Sequence, residues 1–473
     1  MVVQHNLRAM NANRMLGITT GVLSKSSEKL SSGYKINRAA DDAAGLAISE
    51  KMRKQMRGLT QASTNAEDGI SAVQTAEGAL TEVHDMLQRM NELAVKAANG
   101  TNALSDRQTI QDEVDQLLTE IDRVAETTKF NEIYLLKGDA NRVEKYLEAK
   151  DAGIDGQLQD GATTATFTMN ALQFGDSISI GGKQYQIGLV GTAGVDAAKA
   201  IVDSMASGEL ITIDGVQYTL TDNAAEENAD KNILTKDKLQ GKIVEQSSVL
   251  YKGKTYHVMK DLVSVNGDAN PDQVDDVDAS VITAAKAYSM IRQELTLANS
   301  IGAKTGGNAE VDDVVMDDPT NPTKAIFTFD KGKYDVQEAL NFNLHVGADA
   351  DMTNKIGVTI DALDTRGLGI NGLNVKDSTG AYATYAIDSI AEAIAHVSQQ
   401  RSMIGAIQNR LEHTINNLDN VVENTTAAES QIRDTDMATE MVKYSNANIL
   451  QQAGQSMLAQ SNQANQGVLS LLQ

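Results

Sequence analysis

The chain has 473 residues, no cysteine, no tryptophan and a formal net charge of −23. Without cysteine there are no disulfides, thiolate metal sites or thiol nucleophiles. The acidic balance speaks against nucleic-acid binding, which needs clustered Lys and Arg on phosphates. The length allows two to four domains, with enough apolar content for at least one core.

The first residues, MVVQHNLRAMNANR, contain no apolar run of signal-peptide length, so if the protein leaves the cytoplasm a route other than the general secretory one is expected. Residues 1–40 carry six bases (Arg8, Arg14, Lys25, Lys29, Lys35, Arg38) and one acid, Glu28, which reads as a solvated helix face. Further on, Val73, Ala76, Leu80, Val83, Leu87, Met90 and Ala94 follow a 3-4 spacing that breaks at Asn99-Gly100 and resumes at Ile110, Val114, Leu117, Ile121 and Val124. This spacing predicts long helices burying a common seam.

Residues 141–340 change to period-2 writing with Gly-centred turns. Three stretches share one template: Ile180-x-Gly182-x-x-Tyr185-x-Ile187, Ile213-x-Gly215-x-x-Tyr218-x-Leu220 and Tyr251-x-Gly253-x-x-Tyr256-x-Val258. Each predicts a β-hairpin, and helical patterns are expected at 196–206 and 280–300. All three prolines and all six phenylalanines fall between Phe130 and Phe342, so the middle differs in kind from the ends.

Beyond a small β region at 341–378, a heptad frame returns: Ile387, Ile390, Ile394, Val397, Ile404, Leu411, Ile415, Leu418 and Val422, with Arg401 and Gln408 on seam positions. Segments that are incomplete alone and lie at opposite ends of the chain are expected to complete each other. The last thirty residues, 444–473, contain no Asp, Glu, Lys or Arg, although the chain is 22% charged. Eleven Asn and Gln between Asn446 and Gln473 forbid a membrane span. What remains is a helix with a narrow apolar face, suited to burial among other helices. The expected fold class is mainly α: a discontinuous coiled-coil core domain of terminal helices, with an α+β middle insertion containing repeated β-hairpins.

Catalytic signatures are missing. Six histidines at 5, 84, 257, 345, 396 and 413 include no His-Glu-x-x-His pair, and Glu412-His413 lacks a second His. Asp268, Asn270 and Asp272 alternate like the start of a calcium loop, but Gln273 and Ala279 stand where Gly and Glu are needed, so an acidic loop is expected. No phosphate-binding Gly-rich loop and no Gly-x-Ser-x-Gly elbow occur. No enzyme activity, metal or cofactor is expected.

The blocks NLRAMNANRMLG (6–17), LSSGYKINRAADDAAGLAISEKMR (30–53), LQRMNELAVKAANGT (87–101), QRSMIGAIQNRLEHTINNL (400–418) and NILQQAGQSMLAQSNQ (448–463) closely resemble bacterial flagellins. The resemblance covers about 1–140 and 340–473. It implies a secreted subunit of the extracellular flagellar filament, exported unfolded through a type III channel and polymerised through its terminal helices. Inner helices lining the filament axis are then expected at 1–43 and 431–473, a coiled-coil core at 44–140 and 341–430, and an outward insertion at 141–340. Copies stacked at an axis would set any charge beside its own kind in a poorly solvated wall. Amides avoid that repulsion and bond their neighbours.

On this reading the polymerisation face comprises Leu7, Met10, Leu16, Leu23, Leu30, Ile449, Leu450, Met457, Leu458, Val468, Leu469, Leu471 and Leu472. The resemblance also implies that Gln88, Arg89, Leu93 and Glu113 contact host Toll-like receptor 5, with Asn91 standing where a second Arg is common. Asn465 stands where the family often has Pro, which leaves its backbone N–H in place and lets helix continue. Implied partners are other copies in a helical homopolymer, an export chaperone, the filament cap and hook-filament junction proteins, with neither nucleic acid nor membrane insertion. Rival readings are another axial protein such as a junction subunit, an enzyme carried in the middle, and an outward domain that is an adhesin or bears sugars.

Overall fold

A computed structural model describes residues 6–470 apart from 261–271, 305, 319–321 and 378, and only the backbone of 465–470. Three helices open the chain: α1 (Leu7–Ser32), α2 (Ala43–Ala98) and α3 (Leu104–Thr127). α1 stops at Gly33, whose φ of 76° is left-handed and hands the Gly33 N–H to the Lys29 carbonyl. The gap between α2 and α3 falls where the apolar register breaks.

Strands then follow in order: β1 (Lys129–Phe130), β2 (Ile133–Tyr134), β3 (Arg142–Tyr146), β4 (Gln157–Asp160), β5 (Thr164–Asn170), β6 (Ser177–Ile180) and β7 (Lys183–Val190). Helix α4 (Gly191–Asp203) leads to β8 (Leu210–Ile213), β9 (Val216–Leu220) and β10 (Ile233–Leu234). After α5 (Lys236–Gln240) come β11 (Ser248–Tyr251), β12 (Lys254–Met259), β13 (Val281–Thr283) and α6 (Ala284–Ser300). The remaining strands are β14 (Glu310–Val311), β15 (Val315–Met316), β16 (Lys324–Asp330), β17 (Lys333–Gln337), β18 (Leu340–His345) and β19 (Lys355–Ile360). Two long helices, α7 (Ala381–Arg433) and α8 (Met437–Ser470), close the chain.

The chain divides into two compact units: Met1–Val73 with Phe342–Val358 and Gly405–Gln473, and Gln74–Asn341 with Thr359–Ile404. In the first, Ala66 of α2, Leu411 of α7, Val346 and Ile356 share a core, and Leu59, Ala62 and Leu418 share another. Asn65 Nδ2 donates to the His345 carbonyl (2.9 Å) and Ser63 Oγ to Asp419 (3.3 Å), fixing α2 against its neighbours there.

In the second unit Leu80, Val83, Leu87 and Met90 of α2 are fully buried, as are Ile390, Val397 and Ile404 of α7. Arg401 meets Glu77 on α2 at 2.8 Å; Gln408, in the first unit, instead bonds Glu412 within its own helix. The insertion enters and leaves through β3 and β17, paired antiparallel with Arg142 opposite Gln337. Beyond this neck are two sheets. β14-β16-β5-β4, with β15 also on β16, carries Phe167, Phe327 and Phe329 into a core closed by Tyr288, Ile291 and Leu295 of α6. β10-β9-β8-β11-β12-β7-β13, with β6 also on β7, is covered by Ala198 and Val202 of α4 and Leu239 of α5.

The three hairpin templates are β6-β7, β8-β9 and β11-β12, each closed by two residues of positive φ: Gly181-Gly182 (57°, 78°), Asp214-Gly215 (49°, 80°) and Lys252-Gly253 (48°, 80°). Such turns match the right-handed twist of the strands they join. The stretch expected as helix over 280–300 starts instead as β13, parallel to β7, and becomes helical at Ala284, where Thr283 Oγ1 accepts the Lys286 N–H (3.2 Å). A three-residue apolar run cannot be told from a helix start by periodicity alone. Asp268 and Asn270 of the calcium-like run lie outside the described residues.

Candidate assembly surface on the terminal helices

α1 and α8 lie side by side in opposite directions. Asn6 Nδ2 donates to the Ser461 carbonyl (3.3 Å) at one end, and Ser26 Oγ donates to Glu440 Oε1 (2.7 Å) at the other. Between them Leu16 closes on Gly454, where an added Cβ would stand 3.3 Å from Leu16 Cδ1. Both seams follow heptads: Ala9, Ala12, Leu16, Thr19, Leu23, Ser26 and Leu30 face Glu440, Tyr444, Ala447, Gln451, Gly454, Leu458 and Ser461, all at least half-buried. More than half of these positions are polar or small. Such a seam sets register and direction but buries little apolar area, so it holds the pair weakly.

Most of the larger apolar side chains lie outside it. On α1, Leu7 is 70% exposed and Met10 63%, and Met15, Ile18 and Val22 form a second stripe at 3-4 spacing, all exposed. On α8, Val442 and Ile449 stand seven residues apart, as do Leu450 and Met457, again exposed, with Met437 and Met441 nearer the helix start. Instead of the narrow stripe expected from sequence, apolar side chains surround α8. A helix apolar on several sides is one made to be enclosed.

The expected polymerisation face therefore divides. Leu7, Met10, Ile449, Leu450 and Met457 are on the open surface, whereas Leu16, Leu23, Leu30 and Leu458 are half-buried in the seam within the chain. Seven-residue spacing puts those three leucines of α1 in one frame, which Leu7 and Met10 do not share. The side chains of Val468 and Leu469 and the whole of Leu471 and Leu472 lie outside the described residues. Met15, Ile18, Val22, Met437, Met441 and Val442 are exposed apolar side chains outside the expected set, and the 15-18-22 and 442-449 spacings are the sequence signal for them.

At the junctions α1-α2 and α7-α8 the chain turns twice at one place. The Lys35 N–H donates to the Arg433 carbonyl (2.6 Å) and the Thr435 N–H to the Gly33 carbonyl (2.9 Å), while the Arg433 guanidinium covers the Tyr34 ring at 5.0 Å and pairs with Glu50 at 2.7 Å. Both terminal helices are thus tied to the rest of the first unit by one joint.

A second candidate patch lies on α2 and α3. Arg89 donates to Glu113 Oε1 through Nε (3.0 Å) and Nη2 (2.9 Å) and to Glu92 (3.1 Å), holding the two helices together. Gln88 is exposed beside it and contacts His84 (2.9 Å), but Leu93 is buried beneath the surface.

The profile of the bacterial flagellin N-terminal helical region matches residues 3–141, and that of the C-terminal helical region matches 387–472. A flagellin of Clostridium tyrobutyricum is 39% identical over 468 residues, 98% of this chain and all of that relative. The chain belongs to the flagellin family. A flagellin of Halalkalibacterium halodurans is 34% identical over the full length of both chains. A solved FliC structure from Burkholderia pseudomallei is 16% identical, covers 72% of this chain and 99% of that one, and has a TM-score of 0.27. As a flagellin, the chain is a structural subunit of the extracellular flagellar filament and not an enzyme. Among the described residues of this flagellin no helix is long and apolar enough to cross a membrane.

Proposed function

We propose that this flagellin polymerises by enclosing the outward faces of α1 and α8 among neighbouring copies, with 1–43 and 431–473 innermost, 44–140 and 341–430 around them, and 141–340 facing out. The observation that carries this reading is the division of labour on the terminal helices: a weak seam within the chain, more than half of it polar or small, and most of the large apolar side chains outside it. Burying such side chains is worth about 1 kcal/mol each at their present exposure, enough in sum to order helices that the internal seam alone holds loosely. The same weakness suits export as an unfolded chain, with a chaperone covering the apolar tail before assembly and the filament cap and hook-filament junction proteins offering similar helical partners at the two filament ends.

The test is electron microscopy of Ile449→Ser combined with Leu450→Ser, and of a chain lacking 444–473. Both are expected to lose filaments while the melting temperature of the remaining fold changes little; normal filaments from either would overturn the assignment. We further propose that Gln88, Arg89 and Glu113 form the surface read by Toll-like receptor 5, with Leu93 supporting it from beneath. Arg89→Ala is expected to weaken binding of the monomer at least about tenfold, the loss of one bidentate charged contact. Unchanged affinity in a surface-plasmon assay would remove this patch from consideration.

A further inference from the structure

In the second unit a cavity of about 430 Å³ opens between the last turns of α3, the neck strands β3 and β17, and the loop after β19. Three bases from three separate segments line it: Lys137 after β2, Arg142 at the start of β3, and Arg366 in the loop. In a chain with 64 acids and 41 bases, a surface Arg has carboxylates to choose from, and Arg38, Arg53, Arg89, Arg123, Arg292, Arg401 and Arg433 each pair with one. Neither Arg142 nor Arg366 makes a side-chain hydrogen bond or ion pair among the described residues, and Lys137 only overhangs the Tyr134 ring at 5.5 Å.

Four carboxylates share the cavity, and three of them are engaged by other groups. Asp122 accepts from the Thr365 N–H (2.8 Å) and Thr365 Oγ1 (3.0 Å), Asp335 pairs with Lys304 (3.1 Å), and Asp364 accepts the Gly367 N–H (2.7 Å). Burial raises the Asp364 pKa, with the Asp122 charge adding to it and the Gly367 N–H and the Arg366 charge opposing it. Among the described residues Glu126 and Gln337 are the lining polar groups without such ties.

We propose that this cavity binds a small oxyanionic molecule, held by Arg142, Arg366 and Lys137 through a phosphate or carboxylate group. Guanidinium groups present paired donors that match either oxyanion, and a partly enclosed site strengthens each charged hydrogen bond. The volume admits a ligand up to the size of a simple sugar acid or sugar phosphate.

The test is calorimetric titration of the full-length monomer with inorganic phosphate, glucose 6-phosphate, glucuronate and uncharged glucose. Binding of at least one anion without binding of glucose is expected, and comparing the phosphates with glucuronate tells which head group the site prefers. Arg142→Ala combined with Arg366→Ala should weaken that binding at least about tenfold with the melting temperature unchanged, since neither arginine holds the fold together. No heat with any anion, equal binding of glucose, or an affinity unchanged in the double variant would each overturn the proposal.

Discussion

Arg107 is only 2% exposed, yet no carboxylate meets it. Its guanidinium donates instead to the carbonyls of Ala97 (2.8 Å), Asn99 (3.3 Å) and Asp377 (3.0 Å). Two of these are the orphan carbonyls at the end of α2, where a positive charge also meets the helix dipole. Arg107→Ala would leave buried acceptors unmade and is expected to cost about 3 kcal/mol in urea unfolding. Arg107→Lys should recover only part, because one ammonium cannot reach three divergent carbonyls. Nothing in the run SDRQTIQD distinguishes this Arg from a solvated one, since its role depends on where the loop before α7 lies. Glu440 is a second such residue. Its pKa is lowered, chiefly by the Ser26 hydrogen bond and then by Lys443 and Lys29, against the opposing effect of burial. A depressed carboxyl pKa stabilises the fold above the unfolded value of about 4.3, and that contribution is lost as pH falls through the folded value. The α1-α8 pair should therefore loosen in acid, below about pH 4. Hydrogen exchange in α1 should report this, and Glu440→Gln should flatten the pH dependence.

Single elements were read best where two independent signals coincided. The three hairpins combine period-2 alternation with a Gly at a fixed place, and their turns need positive φ at both central residues. Gly215 has no heavy atom within 4 Å of where a Cβ would stand, so Gly215→Ala isolates the backbone cost. That substitution should destabilise the sheet by about 1 kcal/mol, seen as a lower urea midpoint for the transition reported by tyrosine fluorescence. The heptad frames of α2 and α7 were equally legible because Leu, Val and Ile recur every three to four residues along a single stripe. In α1 and α8 the same rule misleads: apolar residues belong to more than one face, and the buried frame carries Thr19, Ser26 and Gln451. Hydropathy alone then points to the exposed faces, not to the seam.

At the scale of the whole molecule the neck is the decisive feature. Because Tyr146 pairs with Lys333, the 186 or so residues between them form a branch whose two ends meet at one place. Replacing 147–332 with a tight Asn-Gly turn is expected to leave filaments that are thinner but otherwise assembled, by electron microscopy. Loss of assembly would mean that the insertion contributes to contacts between subunits. The branch carries most of two cores, one of which also takes in Tyr385 of α7, so its residues can differ in kind from the ends while the heptads stay in place.

The residues by themselves determined the division into helical ends and a β-rich middle, because 3.6- and 2-residue periodicities are local consequences of backbone geometry. They also determined that the tail avoids charge, and several long blocks made the family legible. Only the tertiary structure decided which side of each terminal helix is internal, because that depends on register against a partner more than 400 positions away in sequence. It alone set Arg107 against the end of α2, and gathered Lys137, Arg142 and Arg366 around one cavity. Burial and long-range pairing are properties of the assembled fold, and no local pattern encodes them.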